Sequence, residues 1–291
     1  AMHVAALYII ERSLIPAQRK LQSPHEAKAK EFDCIVKIGR THLQDATPVR
    51  LGQEFGGYAR QVELGVRRLE KLRDTLGELA LGGTAVGTGI NTDPAFPPAV
   101  IQYLSKITEL PFVEAKNHFE AQGGKDAIVE ASGALKTIAV SFTKIANDIR
   151  WLASGPRCGI GEIILPETQP GSSIMPGKVN PVIAESVLMV AAQVIGNDAT
   201  ITIAGQAGVL ELNVMMPVMA HNLLESIRLL AASANNFADK CISGIAADVE
   251  RCNDMIEKSL AMCTPLAPEI GYDQAAAIPK KTYKTAKTVR V

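Results

Sequence analysis

Aromatic residues make up only 4% of the 291 positions, and β-structure is signalled even more weakly, with no sustained apolar/polar alternation and no Asn-Gly hairpin dipeptide. These absences exclude an ordinary sandwich or barrel and predict an all-α chain. Net charge is also missing: 30 Lys and Arg stand against 30 Asp and Glu. That balance removes the electrostatic case for nucleic acid or an anionic membrane as principal partner, while a small anion needs only a local positive site. The five cysteines (Cys34, Cys158, Cys241, Cys252, Cys263) are odd in number and widely spaced. This suits neither a disulfide framework nor a zinc site and fits a reducing compartment. No apolar run is read as long enough to cross a membrane, and no signal or transit segment opens the chain. The Gly- and Thr-rich stretch from Gly82 to Pro94 lacks the spacing of a phosphate-binding loop, so no nucleotide site is implied.

What is present is hydrophobic residue, 47% of the chain, enough for a substantial core and arranged at helical spacing. His3, Leu7, Ile10 and Leu14 share one stripe from the first turn, with nothing ahead of Ala1 to cap it, so the sequence is expected to begin inside a helix. Ser23-Pro24 reads as a turn and 26–30 as a solvated helix end. Long helices are expected over 51–81, 126–152, 182–203 and 210–237, the last kinked at Pro217 and filled by methionines at 215, 216 and 219. Pro97-Pro98 opens a short helix, 111–118 is a connector, and His118 and Trp151 are expected to pack rather than bind. Beyond Ser243-Gly244 the helices shorten. The division that follows is a long-helix bundle over 1–245 and a smaller helical domain over 246–291. Lys280, Lys281, Lys284, Lys287 and Arg290 form a solvated or frayed basic tail. Apolar faces this broad require partners, which predicts an oligomer.

Two polar stretches carry chemistry. The run from Lys37 to Pro48, bounded by Gly39 and Pro48, reads as a loop holding Thr41 and His42. A lone histidine is more often structural than catalytic. The second stretch, Gly171-Ser172-Ser173-Ile174-Met175-Pro176-Gly177-Lys178-Val179-Asn180-Pro181, gathers two hydroxyls, a cation and an amide between glycine turns. Asn180-Pro181 reads as the N-cap and first residue of a helix, so free N–H groups and the positive helix end lie beside Lys178 as a seat for a carboxylate. Glu185 follows one turn into that helix.

The 171–181 stretch resembles the signature loop of the fumarase and aspartase superfamily, and its Pro176-Gly177-Lys178 form is closer to class II fumarases. The resemblance extends over nearly the whole chain, including Thr41-His42 and Glu211-Leu212-Asn213-Val214-Met215. It implies reversible hydration of fumarate to L-malate, with catalytic His42, Ser172 and Glu185 and with Thr41, Ser173, Lys178 and Asn180 binding a small dicarboxylate. Ser172 resembles the general base, activated by neighbouring amides and the cation. His42 resembles the group handling the hydroxyl or water proton, and Glu185 the carboxylate that orients it; the sequence leaves open which of Ser172 and His42 takes the proton from carbon. No metal or organic cofactor is implied. The resemblance also implies a homotetramer with shared active sites and a cytoplasmic or mitochondrial-matrix location. In fumarases an upstream domain and a Ser-Ser-Asn stretch come immediately before the segment matched by Ala1-Met2-His3, so these 291 residues alone are expected to be nearly inactive. The alternatives are an aspartate ammonia-lyase of the same superfamily, which commonly has Gln in place of His42, and a non-catalytic helical scaffold. Four positions depart from the family pattern. Arg50 replaces a small polar residue and Asp93 a His, both expected outside the reacting centre, and Ala207 and Val209 replace Ser and Asn nearer to it.

Overall fold

A computed structural model describes residues 1–285, and about 66% of the chain is helical with only a few short strands. The elements run α1 (Met2–Ile9), a π-helical turn (Ile10–Leu14), α2 (Ile15–Glu31), β1 (Val36–Thr41), β2 (Gln44–Arg50), α3 (Leu51–Gly77), β3 (Glu78–Leu79), α4 (Phe96–Thr108), β4 (Val113–Glu114), α5 (His118–Gly123) and α6 (Asp126–Leu152). They continue with β5 (Ile163–Ile164), α7 (Val182–Gly205), α8 (Met216–Lys240), β6 (Ala246–Ala247), α9 (Val249–Lys258), a 3₁₀ turn (Leu260–Leu266), α10 (Ala267–Ile270) and α11 (Tyr272–Thr285). The chain divides into two compact units, Ala1–Gln22 with Arg60–Asn147 and Val182–Asp239, and Ser23–Ala59 with Asp148–Pro181 and the residues from Lys240 on.

The helical core of the first unit is built from the expected stripes. Leu7, Ile10 and Leu14 are fully buried, as are Leu69, Leu76, Leu135, Ala139, Ile145, Ile201, Leu223, Ile227 and Leu230. Between α6, α7 and α8 the packing is polar as well as apolar. Asp198 of α7 accepts from the Ser132 hydroxyl at 2.7 Å and from the Lys136 ammonium at 2.6 Å. Asn197 beside it donates to Ser226 at 3.0 Å and to Glu225 at 2.9 Å. Both residues are buried, so the network fixes how the three helices register, because a slip of one position would leave buried polar groups unpaired.

The second unit contains the β1–β2 hairpin, the 171–181 loop and the short helices from α9 to α11. Buried rings of Phe32, Phe55 and Tyr58 meet edge to face, with Phe32 and Phe55 centroids 5.2 Å apart, an arrangement that favours the ring quadrupoles. The Tyr58 hydroxyl donates to Asp148 at 2.9 Å, and burial pushes its ionisation well above the usual phenol range.

Several expectations need correcting. Pro24 lies inside α2, not in a turn. Pro217 lies in the first turn of α8, where a missing N–H costs nothing, so it opens the helix instead of kinking it. The helix starts at Met216, after Met215, and of the three methionines expected to fill it only Met219 is buried. Trp151 is half exposed at the end of α6. Lys280 and Lys281 are solvated, as expected, but on helix α11, and Lys287 and Arg290 lie outside the described residues. The segment Val182–Gly205 is, by length and composition, apolar enough to cross a membrane, contrary to the reading that no such run exists.

Two measurements follow. Asp198→Ala should destabilise the fold by roughly 2 kcal/mol, the cost of stranding the Ser132 hydroxyl and Lys136, read by chemical denaturation. Cys241 and Cys252 are buried thiols pushed up to about 12 and about 11, chiefly by desolvation, and Cys263 is also buried and raised. Since the thiolate is the reactive form, a thiol reagent at pH 8 should label Cys34 and Cys158 quickly and the other three only after unfolding.

Candidate active site

The stretch expected to be a loop around His42 is a β-hairpin. Antiparallel pairs run from Val36↔Arg50 to Thr41↔Gln44, with a register shift between Ile38 and Arg40. Gly39 is required there, since a Cβ would sit 2.7 Å from the Thr47 carbonyl oxygen. His42 and Leu43 alone form the turn, at φ 56° and 58°, as a two-residue hairpin of the type I′ class demands. Asn and Gly normally fill such positions, because a left-handed residue with a side chain costs about 1–2 kcal/mol. Backbone strain of this kind concentrates at functional sites. Thr41 and His42 are exposed at the tip, and His42 makes no side-chain hydrogen bond or ion pair among the described residues.

The 171–181 loop is closed on itself. Ser172 N–H donates to the Lys178 carbonyl at 3.0 Å and Lys178 N–H to the Met175 carbonyl at 3.2 Å. Gly171 and Gly177 take φ 89° and 81°. Within this ring the Ser172 hydroxyl oxygen accepts from the backbone N–H groups of Ile174 and Met175, each at 3.3 Å. Ser173 and Lys178 are exposed and Asn180 is half buried. Helix α7 begins at Val182, one residue later than the Asn180-Pro181 pattern implied, and Glu185 falls in its first turn, where the helix dipole favours an acid. The loop thus brings Ser172 and Lys178 together, and the hairpin holds Thr41 beside His42. No hydrogen bond joins His42 to Ser172, and Glu185 belongs to the other compact unit.

The departures from the family pattern have local partners. Arg50 pairs with Asp33 at 2.9 Å, and Asp93 accepts from the Ala95 N–H at 2.9 Å. Val209 pairs with Leu212 across a tight turn.

Sequence reading missed a buried ionic cluster behind the hairpin. Lys37 lies 2.9 Å from Glu54 and 3.1 Å from Glu162. Arg40 donates through Nη1 to Glu162 Oε2 at 2.9 Å, and its Nη2 lies 2.9 Å from Oε1, an ion-pair contact without hydrogen-bond alignment. Glu162 is fully buried, and Lys37 is 1% exposed. Burial pushes the Glu54 carboxyl above its ordinary range, with Lys37 opposing. Nothing local in the sequence announces these pairs, because Glu162 is 122 residues from Arg40. The only hint is two cations three apart beside a glycine.

Comparison with known proteins gives a consistent picture. A family model described as "Lyase" matches residues 1–196. The chain is 56% identical over 290 residues to a class II fumarate hydratase from Neisseria meningitidis, covering 100% of this chain and 63% of that protein. It is 54% identical over 289 residues to a mitochondrial fumarate hydratase from Saccharomyces cerevisiae, covering 99% of this chain and 59% of the relative. The crystal structure of a class II fumarase from Schistosoma mansoni superposes with a TM-score of 0.96 at 38% identity, over 99% of this chain and 64% of that one. The chain therefore spans about three-fifths of the length of the relatives it matches.

The closed loop is directly testable. An alanine Cβ at Gly171 would lie 3.0 Å from the Lys178 carbonyl oxygen at a left-handed φ. Gly171→Ala should open the ring and speed amide exchange at Ser172 and Lys178 at least tenfold, about 1.4 kcal/mol of local opening, while exchange within α6 stays unchanged.

Proposed function

This chain belongs to the lyase family, and from that membership and the geometry of the 171–181 loop we propose that it is the main part of a fumarate hydratase, interconverting fumarate and L-malate. The observation that carries the reading is the Ser172 hydroxyl held under two amide N–H groups within a loop that also presents Lys178. Identity above 50% to two fumarate hydratases along the chain supports it.

The chemistry explains why these groups are needed. Removing a proton from carbon beside a carboxylate is feasible only if fixed donors meet the charge that develops on that carboxylate. In this reading Lys178 and Asn180 hold one carboxylate, and Ser173 and Thr41 add hydrogen bonds. Ser172 serves as the base on carbon. Its two amide donors favour the charged form of the hydroxyl. His42 handles the proton of the departing hydroxyl or its water, and Glu185 orients the imidazole. The substrate is a small dicarboxylate, and this chemistry calls on no metal or organic cofactor.

The reading includes a homotetramer in which several copies complete each site. Its support is an uncovered apolar face on α7, where Met189 is 70% and Ile203 60% exposed, together with the exposure of His42 and Lys178. Residues 1–245 would form the shared bundle with the active-site loops, and 246–291 part of a smaller helical domain. Its location would be the cytoplasm or the mitochondrial matrix; the yeast relative is named as mitochondrial.

The protein at its natural length should convert malate, with fumarate followed by its ultraviolet absorbance, and leave aspartate untouched. Ser172→Ala and His42→Asn should each lower kcat by about 10²- to 10⁴-fold, the usual contribution of a positioned acid or base. Turnover of aspartate without malate would reject the assignment in favour of an ammonia-lyase, and turnover of neither would favour a scaffold.

A further inference from the structure

The His42 turn is held in an unfavourable backbone conformation, and such strain persists only where surrounding structure over-determines it. The hairpin's own ladder does not suffice, since it is irregular between Ile38 and Arg40 and ends at the strained residues themselves. Beyond the ladder, β1 is held by the buried Ile38 and by the ionic cluster. Residues three apart on a regular strand point to opposite faces, yet Lys37 and Arg40 both reach the one carboxylate of Glu162. The register shift between them supplies the twist that allows this.

Glu162 is itself a fixed point. Its N–H donates to the Leu152 carbonyl at 2.8 Å, and its carbonyl accepts from Asp248 N–H at 2.9 Å. The Nη2 of Arg40 that lies beside Glu162 also donates to the sulfur of Met255 on α9 at 3.1 Å. Arg251 of the same helix donates to the Ile160 and Gly159 carbonyls at 2.9 and 2.7 Å, just ahead of Glu162. Arg40 is bonded directly to Thr41, so the clamp ends one residue short of the turn.

We propose that Glu162 is a positioning residue for the reaction: through Lys37 and Arg40 it sets the placement of Thr41 and His42 without touching substrate. This rests on the assignment of His42 as a group that acts on the hydroxyl or water proton.

The test uses the protein at its natural length. Glu162→Gln keeps the shape and removes the charge. Amide exchange at Thr41 and Gln44, the last hairpin pair, should rise at least tenfold, with exchange in α6 and α8 unchanged. kcat for malate should fall about 100-fold, as a small misplacement of a reacting group does, while KM moves less than about threefold. In a His42→Asn background the same substitution should cost less than about threefold, because its effect passes through the imidazole. If Glu162→Gln does not fold, Arg40→Gln, which leaves the Glu54–Lys37–Glu162 chain intact, should show the same pattern. Unchanged exchange at Thr41 and Gln44, or an equal loss of kcat with and without His42, would overturn the proposal. If the parent protein hydrates nothing, the functional assignment fails, and the exchange measurement alone still decides whether the clamp holds the turn.

Discussion

A carboxylate with no solvent exposure, carrying two cations from the same strand, is the constraint on which the non-helical part of this protein depends. Taking Glu162, Lys37 and most of Arg40 out of water is expensive, and such clusters seldom add net stability over a well-packed apolar replacement. What they add is intolerance of alternatives. With Glu54 included the cluster is neutral, two acids against two bases, and losing one member would strand a buried charge at a cost of about 3–5 kcal/mol. The hairpin can therefore neither slide nor rotate without breaking several charge-assisted contacts together. The strained turn at its tip is stable because the energetic penalty of releasing it is larger than the strain it holds.

The helical part meets a similar problem by other means. Helix α7 is apolar enough in composition to suit a membrane, yet its buried side carries Asn197 and Asp198 paired to α6 and α8. Those bonds assign its polar positions to a protein interior. The face left open, with Met189, Ile195 and Ile203 exposed, is large-residue apolar surface of the kind that marks an interaction site. One helix thus has two packing instructions, a polar one that fixes its neighbours within the chain and an apolar one that remains unsatisfied by it. The second is why a shared bundle is the assembly proposed.

The long helices were legible because each repeats its apolar positions over many turns; α6 begins at Asp126 and ends at Leu152, the limits its periodicity gives. The 171–181 loop was legible because Gly171 and Gly177 occupy positions that call for left-handed backbone. The hairpin was hidden for physical reasons. Its buried face begins with Lys37, inside only because acids distant in sequence neutralise it. Its second strand holds Pro48, and its turn uses His and Leu where a Gly or Asn would have announced it. Pro24 and Pro217 misled in opposite ways: one is tolerated within α2, the other sits where a helix needs no donor. Local pattern reports what a segment prefers. It does not report long-range charge pairing, and the β1–β2 hairpin is set by that pairing.

The distances at Ser172 bear on how a hydroxyl could act as a base in the proposed reaction. Its two amide contacts, at 3.3 Å, are longer than the usual N–H···O spacing of about 2.9–3.0 Å, so for a neutral hydroxyl they are weak. Were the oxygen to carry negative charge, the same N–H groups would form charge-assisted bonds, which are shorter and roughly twice as strong. The donors therefore discriminate between the two protonation states, which is the property catalysis requires: an interaction stronger in the charged configuration than in the resting one. Because the amides belong to Ile174 and Met175, inside a ring tied by Ser172 and Lys178 backbone bonds, they can tighten by a few tenths of an ångström without unfolding the loop. The glycines that close the ring are what keep those donors aimed at that oxygen.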